Sequence, residues 1–320
     1  MSNQAVLSIV TATTGKFTNS WLDRLLAVVG DVEFVLVYPP GVTPPSIDDQ
    51  RVKIVISPFK GEVMQRLTGL FNATGTYMVA LDDDDFIDPE ICTITQQFFE
   101  LFPESWVLRL SMNRIFYQDL ELIDADWVDV PPLATIPCVH DRDQTAPAVT
   151  GHYLRPLPIA PLRNRFNWLL MIHPFINRRD HHGLHLENFN NKIWKTSLVQ
   201  QALPEFSNAM KLWGNITWVP FWSLDRTLGL FIQAVYFDSA VRTIGYRLEG
   251  AEQVRYILNG TSPEKKNSHL SRRFYFSADL LLAKRFPRYG YFWNLFFDGF
   301  YTTLKQYMKM VWHDVFDRPS

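Results

Sequence analysis

The apolar positions of the first hundred residues fall in short unbroken blocks: Ala5–Val10, Phe34–Tyr38, Val52–Ile56 and Tyr77–Leu81. Blocks of this length, bounded by polar or Pro/Gly segments, read as strands buried on both faces, the habit of parallel sheets. Between them the spacing changes to helical. Asn19 or Ser20 caps a helix that carries Trp21, Leu22, Leu25, Leu26 and Val29 and stops at Gly30. Glu62–Phe71 places Val63, Leu67, Leu70 and Phe71 on one face. Asp88-Pro89-Glu90 opens a third helix, Asp88 as its cap and Pro89 at its first position, with a stripe of Ile91, Ile94, Phe98 and Leu101. Strand and helix in alternation predict an α/β fold: a Rossmann-like, mostly parallel central sheet with flanking helices.

Further on the pattern loosens. Residues 106–130 read as more strands with a turn near Asp119. Residues 131–161 hold seven prolines and read as a long loop or lid, without a regular element. Residues 190–235 return to helical patterning, and 289–316 are crowded with aromatic side chains.

Composition narrows the function classes. The 320 residues are enough for a sizeable core, and 47% apolar with 20% charged is ordinary globular usage. A net charge of -2 gives no basic field for nucleic acid, so no nucleic-acid partner is expected. Cys92 and Cys138 stand alone, without a CxxC pair, which fits a reducing compartment better than a disulfide framework. The first residues lack a basic and then apolar leader, and no window reaches the ~20 apolar residues of a spanning helix. The expected location is cytoplasmic.

The chemistry concentrates at Asp82-Asp83-Asp84-Asp85, directly behind the Tyr77–Leu81 block. Four adjacent carboxylates repel one another and need a cation or water. The C-terminal edge of a parallel strand is where open α/β sheets hold their ligands. Charge and position together point to a divalent cation, Mn²⁺ or Mg²⁺, that holds a diphosphate.

The stretch Arg66-Leu67-Thr68-Gly69-Leu70-Phe71-Asn72-Ala73-Thr74-Gly75-Thr76-Tyr77, followed by Leu81-Asp82-Asp83-Asp84-Asp85, resembles a block of family 2 glycosyltransferases. Arg66, Gly69, Ala73, Gly75, Tyr77, Leu81, Asp82, Asp84 and Asp85 fall in register with that family's pattern. Leu7-Ser8-Ile9-Val10-Thr11-Ala12-Thr13 resembles its opening strand. The good match spans residues 6–102. The resemblance implies a GT-A fold and inverting transfer of a sugar from a nucleotide donor (UDP-, GDP- or dTDP-linked) to a hydroxyl of a glycan or lipid-linked glycan. It implies donor contacts among Thr11, Thr13, Arg66, Asp82 and Asp83, with Asp84 as metal ligand and Asp85 as a carboxylate either behind the metal ligand or on the acceptor side. Arg66 either touches phosphate or pairs with a neighbouring carboxylate. Two positions depart from the pattern: the second strand ends in Tyr38-Pro39-Pro40 rather than an acidic turn, and Leu67 replaces the usual Asn. Tyr38 is then either a donor-side residue that stacks on the base or simply an aromatic at the strand end.

An inverting transfer also needs a carboxylate to take the acceptor proton. The resemblance points to Asp225 in Trp222-Ser223-Leu224-Asp225, where Leu224 replaces the family's Glu and Ser223 caps a helix; Asp238 is the fallback. His185, with His181 and His182 in the 180–187 cluster, is a candidate to complete the metal shell, and His269 is a rival. Arg272 and Arg273 are candidate diphosphate clamps. The chain divides into a nucleotide-sugar-binding half at 1–128, a Pro-rich loop at 129–162, an acceptor half at 163–283 and a helical aromatic extension at 284–320. Basic residues interrupt that extension, as in helices that lie peripherally on the inner face of a membrane. Two rival readings are a degenerate binding protein on the same scaffold and a nucleotidyltransferase. The latter lacks a convincing Gly-rich loop, since only Thr13-Thr14-Gly15-Lys16 follows the first strand.

Overall fold

Residues 5–139, 151–172, 176, 178, 180, 185, 187–211, 221–258 and 275–316 are described by the computed structural model of the chain. The four apolar blocks of the N-terminal third are strands: β1 (Leu7–Ala12), β2 (Val32–Tyr38), β3 (Val52–Ile56) and β4 (Tyr77–Asp82). They lie parallel in the order β3-β2-β1-β4. Helices α1 (Asn19–Leu26), α2 (Glu62–Asn72) and α3 (Ile91–Leu101) connect them or follow them. The α1 cap is Thr18, whose hydroxyl accepts from the Trp21 N–H. Helix α3 begins later than Asp88-Pro89 predicts. Asp88 instead makes a turn, its carboxylate accepting from the Glu90 N–H at 2.8 Å.

The sheet continues through residues whose pattern is weaker. Beyond β4 come β9 (Lys192–Lys195), β6 (Val107–Arg109), β10 (Thr243–Glu249) and β8 (Tyr153–Pro158), eight strands in all. Only β9 and β8 run against the rest, so the sheet is mostly parallel. Strand β8 corrects the expectation of an unbroken loop at 131–161. It is the last strand of the sheet, and its outer side makes a single bridge, Leu154 with Cys138, so the missing N–H groups of Pro156 and Pro158 cost no interior ladder bond. A second sheet, β5 (Asp85–Ile87), β11 (Val254–Leu258) and β7 (Met112–Phe116), stands at the end of β4.

Both faces of the large sheet are covered. Alternate residues of β2 show why its run is unbroken. Phe34, Leu36 and Tyr38 join Trp21 and Leu25 of α1 and Ile91 and Phe98 of α3. Val35 and Val37 join Val63, Leu67 and Leu70 of α2. That second layer also takes α5 (Thr196–Lys211), α6 (Phe221–Val235), α7 (Tyr275–Arg285) and the first turns of α8 (Gly290–Phe316), after the short α4 (Trp168–Ile172). Gly69 lets α2 touch the sheet: a Cβ there would lie 2.4 Å from the Val10 side chain. This close approach holds Arg66, one turn earlier, against the end of β4.

Candidate functional site

Strand β4 ends at Asp82, the chain turns through Asp83 and Asp84, and β5 starts at Asp85. The turn spreads the four carboxylates instead of stacking them. Asp82 accepts a hydrogen bond from Arg66, whose guanidinium also bonds Glu62 one turn back at 3.1 Å. Asp83 accepts from the Thr13 hydroxyl at 2.6 Å, and that hydroxyl accepts in turn from the Gly15 N–H at 2.9 Å. The loop after β1 is thereby tied to the acidic turn. Gln65 adds a second tie, donating to the carbonyls of Thr13 and Val37 at 2.9 and 2.7 Å.

Asp84 is exposed on the turn, and partial desolvation, then the charges of Asp82 and Asp83, raises its pKa. Asp85 is buried; Oδ1 has no hydrogen-bond partner among the described residues. Burial, then Asp82 and Asp84, pushes its pKa up to about 9. A buried acid without a donor partner is stable only when neutral, or when a cation replaces the proton. The hard oxygens of Asp82 and Asp85 therefore fit Mg²⁺ or Mn²⁺. Among the described residues no three His, Cys, Asp or Glu side chains are already gathered into a metal site.

Asp82 and Asp85 face a cleft of about 740 Å³ at the end of β4, and Asp225 lines the same cleft with Asn190, Asn191, Met112, Arg114 and Tyr256. Helix α6 starts at Phe221, before Ser223, so Asp225 sits a turn inside it and not at its first position. One carboxylate oxygen accepts from the Asn190 N–H, and its backbone carbonyl accepts from the Phe189 N–H at 3.0 Å. Asn191, with φ 56°, turns the chain into β9 beside it. Burial raises the Asp225 pKa, and the Lys192 ammonium opposes that rise most strongly. Lys192 is itself pushed down to about 7 by burial and then by Arg109, against the pull of Asp225.

The cleft runs on into a second lobe of about 350 Å³ lined by Arg109, His185, Glu187, Lys192 and Asp225. His185 lies here with its Nε2 3.2 Å from the Tyr291 hydroxyl, and is not gathered with Asp82 and Asp84. Tyr291 also donates to Glu187, and Arg178 donates to both Glu187 and Tyr291, at 3.0 and 3.1 Å. Burial alone would raise the Glu187 pKa, but the Arg178 and Arg226 charges hold it low. The acids of the 180–187 cluster thus belong to ion pairs that anchor α8, Asp180 lying 2.7 Å from Arg178. Thr11 and Tyr38 are fully buried, and Tyr38 offers no open ring face for stacking on a base. Asp238 is engaged in a turn, accepting from the Ala240 N–H at 3.0 Å. His181, His182, His269, Arg272 and Arg273 lie outside the described residues.

No protein-family model matches the sequence, and no curated protein matches it. Among solved structures the chain is similar to S. aureus TarS. It is 14% identical to TarS 1-349 in complex with UDP over 95% of this chain and 91% of that one, with a TM-score of 0.42. It is 14% identical to TarS 1-349 in complex with UDP-GlcNAc over 88% and 72%, also with a TM-score of 0.42. Against the longer S. aureus TarS the identity is again 14% and the TM-score 0.44. There the chain is 88% covered but spans 43% of its counterpart. TM-scores below 0.5 do not establish a common fold, so the α/β architecture stands on the strand order and pairing given above.

Several cleft residues carry no signal in the sequence. Lys192 and Arg109 reach it because β9 pairs with β6, and Tyr256 and Arg114 because β11 pairs with β7. The one local clue is Asn190-Asn191 just ahead of Lys192-Ile193-Trp194-Lys195, a polar pair suited to a turn.

Proposed function

We propose that the chain is a metal-dependent, inverting glycosyltransferase that uses a nucleotide-sugar donor. One observation carries this reading: Asp82 at the end of β4 and Asp225 on α6 line a single cleft. One carboxylate belongs to the donor half of the sheet, and the other stands apart from it on a helix.

The chemistry follows from that separation. Asp225 holds the Asn190 N–H with one oxygen, and a carboxylate has a second oxygen with which to accept a hydroxyl proton. As Asp225 takes the acceptor proton, the acceptor oxygen attacks the anomeric carbon. The bond to the nucleoside diphosphate breaks on the opposite face, and the diphosphate leaves with the bonding pair. Asp82 and Asp85, with Asp84 on the turn, would hold Mn²⁺ or Mg²⁺, which neutralises charge growing on the diphosphate. Arg66 orients Asp82 from behind, and Thr13 orients Asp83.

The test is thermal shift with UDP, GDP and dTDP and their sugars, with Mn²⁺ and then with EDTA. One nucleotide is expected to stabilise the protein only with metal, and Asp82→Asn to lose that shift. Asp225→Asn should keep the shift and lose turnover by about 10²–10⁴-fold, the usual share of a general base. Binding without transfer would favour a binding protein, and release of pyrophosphate a nucleotidyltransferase. A second feature bears on the acceptor. Trp168, Leu169, Met171 and Ile172 of α4 stand exposed, as do Phe300, Leu304, Tyr307 and Met308 of α8, and the two helices meet where the Tyr301 hydroxyl donates to the Met171 carbonyl. This apolar group supports peripheral contact with a membrane and hence a lipid-linked acceptor. No helix among the described residues is long and apolar enough to cross one.

A further inference from the structure

Two carboxylates line the second lobe of the cleft, and their surroundings give them opposite characters. Asp225 and Glu187 share a space of about 350 Å³, at the small end of ligand pockets. Backbone ties fix their spacing. The Phe189 and Asn190 N–H groups hold Asp225. Glu187 precedes Asn190 by three residues, a reach of about 10 Å at most. Its carbonyl lies against Gly229, one turn along α6 from Asp225.

Glu187 is engaged through one oxygen. Oε1 accepts from the Tyr291 hydroxyl, and from Arg178 at 3.0 Å. Oε2 makes no hydrogen bond among the described residues, and the Glu187 side chain, 19% exposed, lines the lobe. Burial works against its charge, but Arg178 and then Arg226 outweigh burial and keep it ionised. A carboxylate held in this way takes no proton near neutrality and acts only as a hydrogen-bond acceptor. Asp225 differs. Burial raises its pKa against the pull of Lys192, which suits it to receive a proton. The rest of the lining agrees. Asn188, Asn190 and Asn191 bring side-chain amides that make no hydrogen bond among the described residues. A fixed acceptor oxygen among uncommitted amides is the chemistry that recognises hydroxyl groups.

We propose that Glu187 is a specificity-determining residue whose Oε2 accepts from the hydroxyl next to the one that Asp225 deprotonates, so that the site selects acceptors with adjacent hydroxyls, on a sugar ring or a polyol. The attacking hydroxyl gives its proton to Asp225. Its neighbour keeps its own proton and donates a hydrogen bond to Glu187. A ligand that lacks the second hydroxyl leaves a desolvated, charged oxygen without a donor, which costs more than the loss of an ordinary contact. The proposal rests on the transferase reading for the role of Asp225.

Release of nucleoside diphosphate from the stabilising donor tests it, using the full chain with Mn²⁺ and glycerol, 1,3-propanediol or 1-propanol as acceptor. Above the rate with water alone, glycerol is expected to react about tenfold faster than 1-propanol or more, and 1,3-propanediol, whose hydroxyls are not adjacent, to stay near 1-propanol. In Glu187→Gln the ratio of glycerol to 1-propanol should fall toward one. That ratio does not depend on how much of the enzyme is folded, so a Glu187 that only anchors α8 would leave it in place. A persisting nucleotide thermal shift shows that the variant folds. If it is lost, Glu187→Asp, which keeps a charge for Arg178, takes its place and should lose the ratio likewise. Equal release with glycerol and 1-propanol in the wild type, or a ratio kept in the folded variant, overturns the proposal. A protein that no nucleotide stabilises and that consumes no donor fails the transferase reading itself. One that consumes donor without preferring adjacent hydroxyls fails only the role of Glu187, so the two failures are distinguishable.

Discussion

Asp225 and Lys192 set each other's charge. Both are buried, which disfavours the ionised form of each, and each is the other's main compensation. Removing Lys192 leaves the carboxylate with its burial and one fewer cation, so its pKa must climb. A base is active only when deprotonated. In Lys192→Met the acidic limb of the kcat/KM profile should therefore move to higher pH, with activity below the limb falling about tenfold for each unit of movement. Rate should recover toward the alkaline side, whereas Asp225→Asn should be low at every pH. A limb that stays in place would remove the reason to call Asp225 the base. This pair also marks how far the site was readable. Asp82 and Arg66 were legible because one strand and the helix before it bring them together within a short stretch of chain. Lys192 was not, because only the pairing of β9 with β6 and the seat of α6 give it meaning.

Helix α6 owes its position to Gly229. A Cβ there would lie 2.2 Å from the Glu187 carbonyl oxygen and 2.9 Å from the Asn188 carbonyl carbon, and both are backbone atoms that cannot swing aside. Ala is the better helix former by about 1 kcal/mol, but the overlap outweighs that gain. Gly229→Ala should lower stability by about 1–3 kcal/mol, read as a fall in Tm, and should shift α6 outward. Asp225 stands one turn away on the same helix, so kcat should fall more than donor affinity. Intact kcat in a destabilised variant would show that the site tolerates the movement. The elements themselves were legible in proportion to their apolar runs. β1 to β4 and α1 to α3 carry uninterrupted blocks or clear stripes, and the structure has them within a few residues. β9 is four residues with Lys at both ends, and β8 carries two prolines. Their strand conformation is imposed by the sheet, β9 between two neighbours and β8 at the edge, and not by local preference.

The aromatic extension divides into two parts with different surroundings. Tyr291, Phe292 and Leu295 are buried in the layer that α2, α5, α6 and α7 pack on the sheet, and Tyr291 reaches the cleft through its hydroxyl contacts with Glu187 and His185. Further along α8, Phe300, Leu304, Tyr307 and Met308 are exposed, and the helix holds α4 through the Tyr301 hydroxyl, which donates to the Met171 carbonyl. Trp168 is 70% and Ile172 73% exposed, and four of the five residues of α4 are large, apolar and outward. Single exposed apolar residues are ordinary, but a contiguous group of this kind marks a contact surface. Exposed Arg163, Arg165 and Lys309 lie near it in the chain, a composition that suits anionic headgroups around an inserted apolar face. The protein should therefore float with anionic phospholipid vesicles and bind neutral ones less. Each large apolar side chain fully buried contributes about 1.5–3 kcal/mol, so the double variant Trp168→Glu, Ile172→Glu should lose vesicle binding by a hundredfold or more. Its nucleotide shift should persist, because neither residue lines the cleft. Wild-type protein that stays off every vesicle but runs as a dimer, and becomes monomeric in the variant, would make the same surface a subunit contact. A patch that does hold the bilayer would, through α8 and Tyr291, set the cleft in fixed relation to the surface on which a lipid-linked acceptor moves.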